Sequence, residues 1–427
     1  MNRALPALVR QRLTDGAAGV TSICTAHPLV IEAVLLHGAR TGRRVLIEAT
    51  CNQVNQEGGY TGMTPADFRN FVEAIAARVG FDPARVILGG DHLGPNPWKH
   101  LPADEAMGRA TTMIAAYARA GFVKLHLDAS MGCAGEGAAV VDEVAAQRAA
   151  QMAEVAEAAA QGGQSPVYVI GTEVPVPGGA QHALEALAVT RPEAALRTVA
   201  THRETFKRRS LEGAFERVIG VVVQPGVEFA SADVVAYQPD MARDLVAALA
   251  DMPGVVFEAH STDYQPAAAL EGLVRDGFAI LKVGPWLTFA LREALYGLDA
   301  IAQALHPAPL AESLPASMEA LMLSAPENWR RYYAGDADEL RIQRHFSFSD
   351  RIRYYWALPP ARAAVDRLLV RLGERVIPAP LVSQYLGALH PAVADGSLIA
   401  RPRELLIAAV QRIVDRYEQA CSTAPEA

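Results

Sequence analysis

The amino-acid sequence predicts a (β/α)8 TIM barrel followed by a helical extension. Eight short runs of apolar and β-branched residues recur along residues 1–300, and each is followed by a longer stretch rich in Ala, Leu and Glu. Nearly continuous apolar runs are typical of parallel strands that are covered on both faces. Eight such units favour a closed barrel over the alternative, a doubly wound open sheet. That sheet usually has a glycine-rich phosphate loop after its first strand, and CTAHPLVIEA here has none.

The predicted strands follow one another at intervals that leave room for one helix each. In chain order they are GVTSICTAH (19–27), VLIEATCNQ (45–53), VILGGDH (86–92), FVKLHLDAS (122–130), VYVIGTEVP (167–175), VIGVVVQPG (218–226), VVFEAHSTD (255–263) and FAILKVGPW (278–286).

The stretches between these strands carry helix signals. Thr64 can cap a helix that has Pro65 at its first position and Asp67 in its first turn. Similar helical patterns cover residues 105–121 and 191–210.

The sequence pattern changes near residue 300, where the strand-like runs stop and only helical patterns continue. We therefore predict a barrel over residues 1–300 and a helical extension, packed on the barrel, over residues 301–427.

The composition is that of an ordinary globular protein, with 427 residues, 51% hydrophobic residues and 20% charged residues. A net charge of −8 argues against nucleic acid or an anionic membrane as partner. No apolar stretch is long enough to span a bilayer. The four cysteines show no pairing pattern, which predicts a reducing, cytoplasmic location.

Polar residues collect where the predicted strands end, which is where barrel enzymes place their functional groups. A buried core needs none of them. They are His27, Glu48, Asn52, Gln53, Asp91, His92, Asp128, Glu173, Gln224, Glu258, His260, Asp263 and Lys282.

Histidines and carboxylates meeting at one barrel mouth predict a divalent-metal site with nitrogen and oxygen ligands, suited to Zn²⁺, Mn²⁺, Co²⁺ or Ni²⁺. The candidate ligands are His92, His260 and Glu173, with Gln224 as a weaker candidate. Asp91, next to a ligand, is then free to act as acid or base. The alternative is a hydrogen-bonded ring of polar residues that merely stabilises the top of the barrel.

One further segment, RIQRHFSFSDRIRYYW (341–356), packs arginines among aromatic residues. Structural ion pairs or a protein interface are its ordinary interpretations. An anion clamp over the barrel mouth is the alternative.

Nearly the whole chain, from about residue 1 to residue 420, resembles the non-catalytic (Z) subunit family of class II D-tagatose-1,6-bisphosphate aldolase. Family members have also carried a tagatose-6-phosphate kinase label, but the chain has no kinase motif. The resemblance is carried by IEATCNQVNQEGGYTGMTPADF, ILGGDHLGPNPW, LHLDASMGCAGE, GTEVPVPGGA, VVVQPGVEF, EAHSTDYQ, AILKVGPWLTFALREA and SDRIRYYW.

This resemblance implies a relationship to the metal-dependent class II aldolases. By that likeness Asp91 is the catalytic acid or base and His92 a metal ligand, while Asp128 has a catalytic role. His260 matches the histidine of strand seven in those enzymes. Glu173 lies where an acidic residue of strand five can approach the metal, and it is predicted to be both a ligand and a catalytic residue.

The strand-six histidine of the class II aldolases has no match here, and Gln224 stands at that place. Other strand-end residues are predicted to bind the substrate. The predicted substrate-binding residues are His27, Glu48, Asn52, Gln53, Asp263 and Lys282.

The segments that hold the substrate phosphate in class II aldolases are altered. Those enzymes use a small-residue loop after strand seven and hydroxyl-bearing residues after strand eight. Here the corresponding segments, STDYQ and GPWLTFA, are bulkier and less suited to a phosphate nest.

The first functional hypothesis is a metal-dependent enzyme that acts on a small sugar or sugar phosphate. It would invert C4 of D-fructose, D-tagatose or their phosphates by retro-aldol and aldol chemistry, with proton transfer at C4 as the alternative route. The second is a non-catalytic subunit that stabilises a separate catalytic aldolase subunit. A third is a sugar-binding or regulatory barrel. We also expect a homo-oligomer.

Overall fold

The computed structural model describes residues 18–160, 163–172 and 187–422. It contains a closed barrel of parallel strands, in which each strand pairs with its neighbour in sequence and the last pairs with the first. Each predicted run overlaps one strand, so the predicted barrel is confirmed. The barrel strands are β1 Val20–Cys24, β2 Val45–Thr50, β3 Val86–Leu93, β4 Lys124–Leu127, β5 Val167–Ile170, β6 Val218–Val223, β7 Val256–Ala259 and β8 Ile280–Val283.

Helices cover the outside of the barrel and continue beyond it. Thr64 caps its helix by accepting from the backbone N–H of Asp67, as its position predicts. The helices are α1 Pro28–Thr41, α2 Pro65–Arg78, α3 Ala103–Arg119, α4 Asp142–Ala159, α5 Pro192–Arg208, α6 Glu212–Phe215, α7 Pro239–Ala248, α8 Ala267–Arg275, α9 Pro285–Leu305, α10 Leu314–Ser324, α11 Ala337–Phe346, α12 Pro359–Leu372, α13 Ala379–Tyr385, α14 His390–Ala394 and α15 Pro402–Ser422.

A small antiparallel hairpin, formed by Glu228–Phe229 and Val234–Val235, follows β6. The sequence pattern did not predict it, because its strands are only two residues long.

The extension after α9 returns to the barrel. Its last helix, α15, packs against α1, α8 and α9. The backbone N–H of Gly19, just before β1, donates to the carbonyl of Cys421 at 3.1 Å. The proposed boundary at residue 300 falls within α9.

Within the described ranges, no helix combines the length and the apolar character needed to cross a lipid bilayer.

The barrel interior is apolar at one end and charged at the other. Leu46 of β2 pairs with Ile87 of β3, and both belong to an apolar cluster inside the barrel. Two residues further along each strand, on the same face, stand Glu48 and Gly89. A Cβ on Gly89 would lie 2.7 Å from Oε1 of Glu48. Glycine at this position therefore leaves room for a buried carboxylate.

Gly94 permits a second close approach, at the end of β3. A Cβ there would collide with the carbonyl oxygen of Asp128, which is backbone and cannot turn away. The same region is held together by the N–H of Asp128, which donates to the carbonyl of Leu93 at 2.9 Å. Gly94 thus lets the ends of β3 and β4 meet.

We expect Gly94→Ala to lower the free energy of unfolding by about 3 kcal/mol, because the backbone of one strand end must move to admit the new methyl group. Urea or thermal unfolding of the purified protein measures the change. The matched control is Gly108→Ala. Gly108 is exposed within α3, with open space around it, so alanine should raise stability by roughly 0.5–1 kcal/mol. Equal stability of Gly94→Ala and the wild type would contradict this account.

Candidate active site

A cavity of about 760 Å³ opens at the carboxyl ends of the strands. The extension supplies part of its wall through Arg353, Tyr354 and Trp356. The predicted site residues that line it are His27, Asn52, Gln53, Asp91, His92, His260, Asp263 and Lys282.

Two lysines and three carboxylates form a chain of buried ion pairs that reaches the cavity through Asp91 and Lys282. Lys124 Nζ lies 2.7 Å from Glu48 Oε1 and 2.8 Å from Glu258 Oε2. Lys282 Nζ pairs with Glu48 and lies 3.0 Å from Asp91 Oδ2. All five side chains are almost completely buried. Along this chain of contacts, from Glu258 through Lys124, Glu48 and Lys282 to Asp91, the sign of the charge alternates, so each buried charge lies against an opposite one.

These pairings determine the protonation of the groups. Burial alone lowers the pKa of Lys282, but the charges of Asp91 and Glu48 outweigh it and hold that pKa well above its usual value. Burial raises the pKa of Asp91, but His92, Lys282 and His126 together hold it well below its usual range. Asp91 is therefore a carboxylate beside an ammonium group.

Four buried residues offer ligand atoms that all lie within 4.8 Å of one another: Asp91, His126, Glu258 and His260. Nε2 of His126 has no hydrogen-bond partner among the described residues, although it is buried. Burial lowers the pKa of His260 to about 4, so its imidazole is neutral at physiological pH, as metal ligation requires. The donor types and the unpaired imidazole nitrogen fit a divalent cation.

His92 lies beside this group in a left-handed backbone conformation, with φ of 49°. Its ring centroid is 4.8 Å from that of His260. Its Nδ1 donates to Oδ2 of Asp128 at 2.8 Å, while its Nε2 lies 3.7 Å from Oδ2 of Asp91. Asp128 is itself held by the hydroxyl of Ser130 at 2.8 Å. Asp128 thus orients His92, and Nε2 of His92 remains on the side of Asp91.

Two further residues, Glu173 and Gln224, were predicted as ligands. Glu173 lies outside the described residues. Oε1 of Gln224 accepts from the backbone N–H groups of Gly226 at 2.8 Å and Val227 at 2.9 Å. Its oxygen therefore closes a local turn, and the structure does not bring it into the group of possible ligands.

Of three predicted substrate-binding residues at the cavity wall, two make local structural bonds through their side chains. Nδ1 of His27 accepts from the N–H of Leu29 and caps α1, and burial lowers the His27 pKa to about 4. Oε1 of Gln53 accepts from the N–H of Thr50 at 2.8 Å, and its neighbour Asn52 also lines the wall. All three residues line the cavity, and the backbone holds the side chains of His27 and Gln53 in place.

Asp263 stands at the start of α9. Its Oδ1 accepts from the N–H groups of Gly284 at 3.0 Å and Trp286 at 2.8 Å. Burial raises the pKa of Asp263 to about 6, against these hydrogen bonds. The carboxylate thus takes up the free N–H groups where the last barrel helix begins.

Lys124 and His126 were not among the residues predicted from the strand ends, and Glu258 was named there without a role. A signal for the first two was present. In KLHLD, positions 124, 126 and 128 are polar and alternate with leucines, which directs them to one face of β4. The apolar appearance of the run as a whole concealed this alternation.

Known proteins that resemble this chain match it over nearly its whole length. A relative from Agrobacterium fabrum, named D-tagatose 6-phosphate 4-epimerase, is 54% identical over 422 residues, which cover 98% of this chain and 99% of the relative. A crystal structure from Sinorhizobium meliloti 1021, described as a "probable tagatose 6 phosphate kinase", is 56% identical with a TM-score of 0.89 and covers 94% of this chain and 100% of its own. The family described as D-tagatose-1,6-bisphosphate aldolase subunit GatZ/KbaZ-like matches residues 5–422. The chain therefore belongs to the GatZ/KbaZ-like family, as its motifs predict.

Proposed function

We propose that this protein is an epimerase that inverts C4 of a ketohexose 6-phosphate and so interconverts D-tagatose 6-phosphate and D-fructose 6-phosphate. The observation that carries the proposal is an ionised carboxylate, Asp91, held beside Lys282 and next to His260 at the mouth of the cavity. The name of the Agrobacterium relative supports the same reaction and the phosphorylated substrate.

The position of C4 in the substrate favours retro-aldol chemistry. Its hydroxyl is β to the C2 ketone, and its C–H bond is not adjacent to the carbonyl, so direct removal of that hydrogen is not activated. Asp91 accepts the proton of the C4 hydroxyl while the C3–C4 bonding electrons move toward C2. This yields the enediolate of dihydroxyacetone and glyceraldehyde 3-phosphate. The aldehyde turns its other face, the C3–C4 bond reforms, and Asp91 returns the proton.

Lys282 has two functions in this scheme. Its ammonium group holds Oδ2 of Asp91 at 3.0 Å and so orients the base. It also lines the cavity as a buried positive charge. Such a charge stabilises the negative charge that develops on the substrate oxygen more strongly than it would in water.

His126, Glu258 and His260 are the residues that would hold a divalent metal, together with Nε2 of His92. Zn²⁺, Mn²⁺, Co²⁺ and Ni²⁺ suit this donor set. When bound, the metal supplies Lewis-acid stabilisation of the negative charge at the carbonyl. Asp128 positions His92 through Nδ1, as carboxylates commonly do behind ligating histidines. Asp91 is not needed as a ligand in this scheme and remains free to accept the proton of the C4 hydroxyl.

The proposed activity is tested on the purified chain alone, stripped of metal and then supplied with each of the four cations. We expect cation-dependent formation of D-fructose 6-phosphate from D-tagatose 6-phosphate, quantified by chromatography. No conversion with any cation would overturn the proposal and favour the alternative of a subunit that stabilises a separate aldolase.

Asp91→Asn should reduce kcat by about 1,000-fold, because the amide cannot accept the hydroxyl proton. The control is Asp240→Asn, because the carboxylate of Asp240 is 88% exposed and pairs with Arg243 on the surface. Steady-state rates of the two variants are compared after their folding has been checked by circular dichroism. A kcat within threefold of wild type for Asp91→Asn would remove Asp91 from the mechanism.

The retro-aldol route makes an isotopic prediction. In deuterium oxide the product should keep protium at C4, since that hydrogen stays bonded to carbon throughout. Nuclear magnetic resonance of the product measures the label. Deuterium at C4 would instead require a proton-transfer route.

His126→Ala should reduce the bound metal to less than about a tenth of its wild-type content, because a lost ligand typically weakens a site strongly. Gln224→Ala should leave the metal content unchanged, since its oxygen is engaged in a turn. Elemental analysis of both purified variants gives the metal content directly. The opposite result would restore Gln224 as a ligand.

A further inference from the structure

The place where barrel enzymes often bind a phosphate group is already occupied in this chain. That place is formed by the loops after the last two strands and by the N–H groups at the start of a following helix. Here the loop after β7 supplies Asp263, whose carboxylate accepts from the N–H groups of Gly284 and Trp286. These N–H groups are therefore not free to bind a phosphate, and the negative charge of Asp263 would repel one. The substrate phosphate therefore needs another cationic partner.

Arg353, in the short helical turn Arg351–Tyr354 of the extension, lines the same cavity. Its guanidinium donates to the carbonyls of Ser349 and Asp350 and, at 3.0 Å, to the hydroxyl of Tyr354. In the described part of the chain, no carboxylate oxygen lies within 4.0 Å of it. Arg353 is thus a partly buried cation that neutral oxygens hold in place, while the carboxylates of Asp350 and Asp263 act on it only from beyond ion-pair distance.

The acidic groups nearest to Arg353 are engaged elsewhere. Asp263 binds the start of α9, as described above. Asp350 accepts from the hydroxyl of Thr288 at 2.6 Å and lies 3.8 Å from Nε of Arg292. These contacts fix the turn that carries Arg353 against α9. The cation is therefore presented to the cavity by a rigid support.

The other cations of the cavity wall differ from Arg353. Arg78 and Arg403 both pair with Glu32, at 2.9 Å and 2.6 Å. Lys282 is matched by the carboxylates below it. Arg362 is exposed on α12, where water screens its charge. Among these cations of the described residues, Arg353 best suits an anion, because it faces the cavity and has no carboxylate in direct contact.

We propose that Arg353 binds the phosphate group of the substrate, in place of the helix start that Asp263 occupies. The assignment rests on the proposed function, and it makes the extension part of the substrate site. A phosphate dianion on Arg353 gains charge-assisted hydrogen bonds from a planar donor group. The ligand chemistry is that of a phosphate monoester, and inorganic phosphate shares it.

Phosphate binding is tested first without catalysis. Isothermal titration calorimetry of the metal-loaded full chain with inorganic phosphate should show binding that Arg353→Gln weakens by about 30-fold. Arg353→Lys, which keeps the charge, should recover part of the affinity. Equal affinity of Arg353→Gln and wild type, or no binding to wild type at millimolar phosphate, would overturn the assignment even if the protein is an active epimerase.

Kinetics then distinguish the sugar phosphate from free phosphate as the ligand. Arg353→Gln should raise the KM for D-tagatose 6-phosphate by about 30-fold, while kcat/KM for unphosphorylated D-tagatose changes less than threefold. A purely structural defect would lower kcat/KM for the phosphorylated and the unphosphorylated sugar alike. Arg362→Gln is the competing variant, and a KM increase there with none in Arg353→Gln would move the phosphate to Arg362. Absence of any epimerase activity would reject the proposed function but leave the calorimetric result to decide on Arg353.

Discussion

Two lysines buried inside the barrel constrain the rest of the structure. Lys124 lies between Glu48 and Glu258, and Lys282 lies between Glu48 and Asp91. A buried charge without its partner is strongly destabilising, so removing one of these groups leaves its neighbour with one compensating charge fewer. The partners come from β2, β3, β4, β7 and β8, and these strands must keep their register for the charges to stay paired. Stability and site geometry thus depend on the same contacts.

The extension is part of the site as well as part of the fold. Its turn Arg351–Tyr354 is anchored to α9 through Asp350 and Thr288, and it closes one side of the cavity. Its last helix, α15, packs beside the first strand of the barrel. A division of the chain at residue 300 therefore describes a change of secondary structure and does not separate a catalytic part from an accessory one.

The candidate site was only partly predictable from the sequence. Asp91, His92 and His260 follow from the rule that parallel strands end together at the functional face of a barrel. His126 escaped prediction because it lies inside an apolar strand, and only its alternation with leucines indicates its direction. Gln224 was expected to approach the metal, but whether a strand-end side chain turns inward or closes its own turn depends on the local backbone.

The sequence by itself determined the eight strands, their parallel order, the helical extension and the family, because these follow from local apolar patterns and long specific motifs. Only the tertiary structure decided which charges neutralise each other. It paired Lys124 with two carboxylates from distant strands and left Arg353 without a close carboxylate among the described residues. The physical reason is that ion pairing depends on distances of a few ångströms between residues far apart in the chain, and no local pattern encodes them.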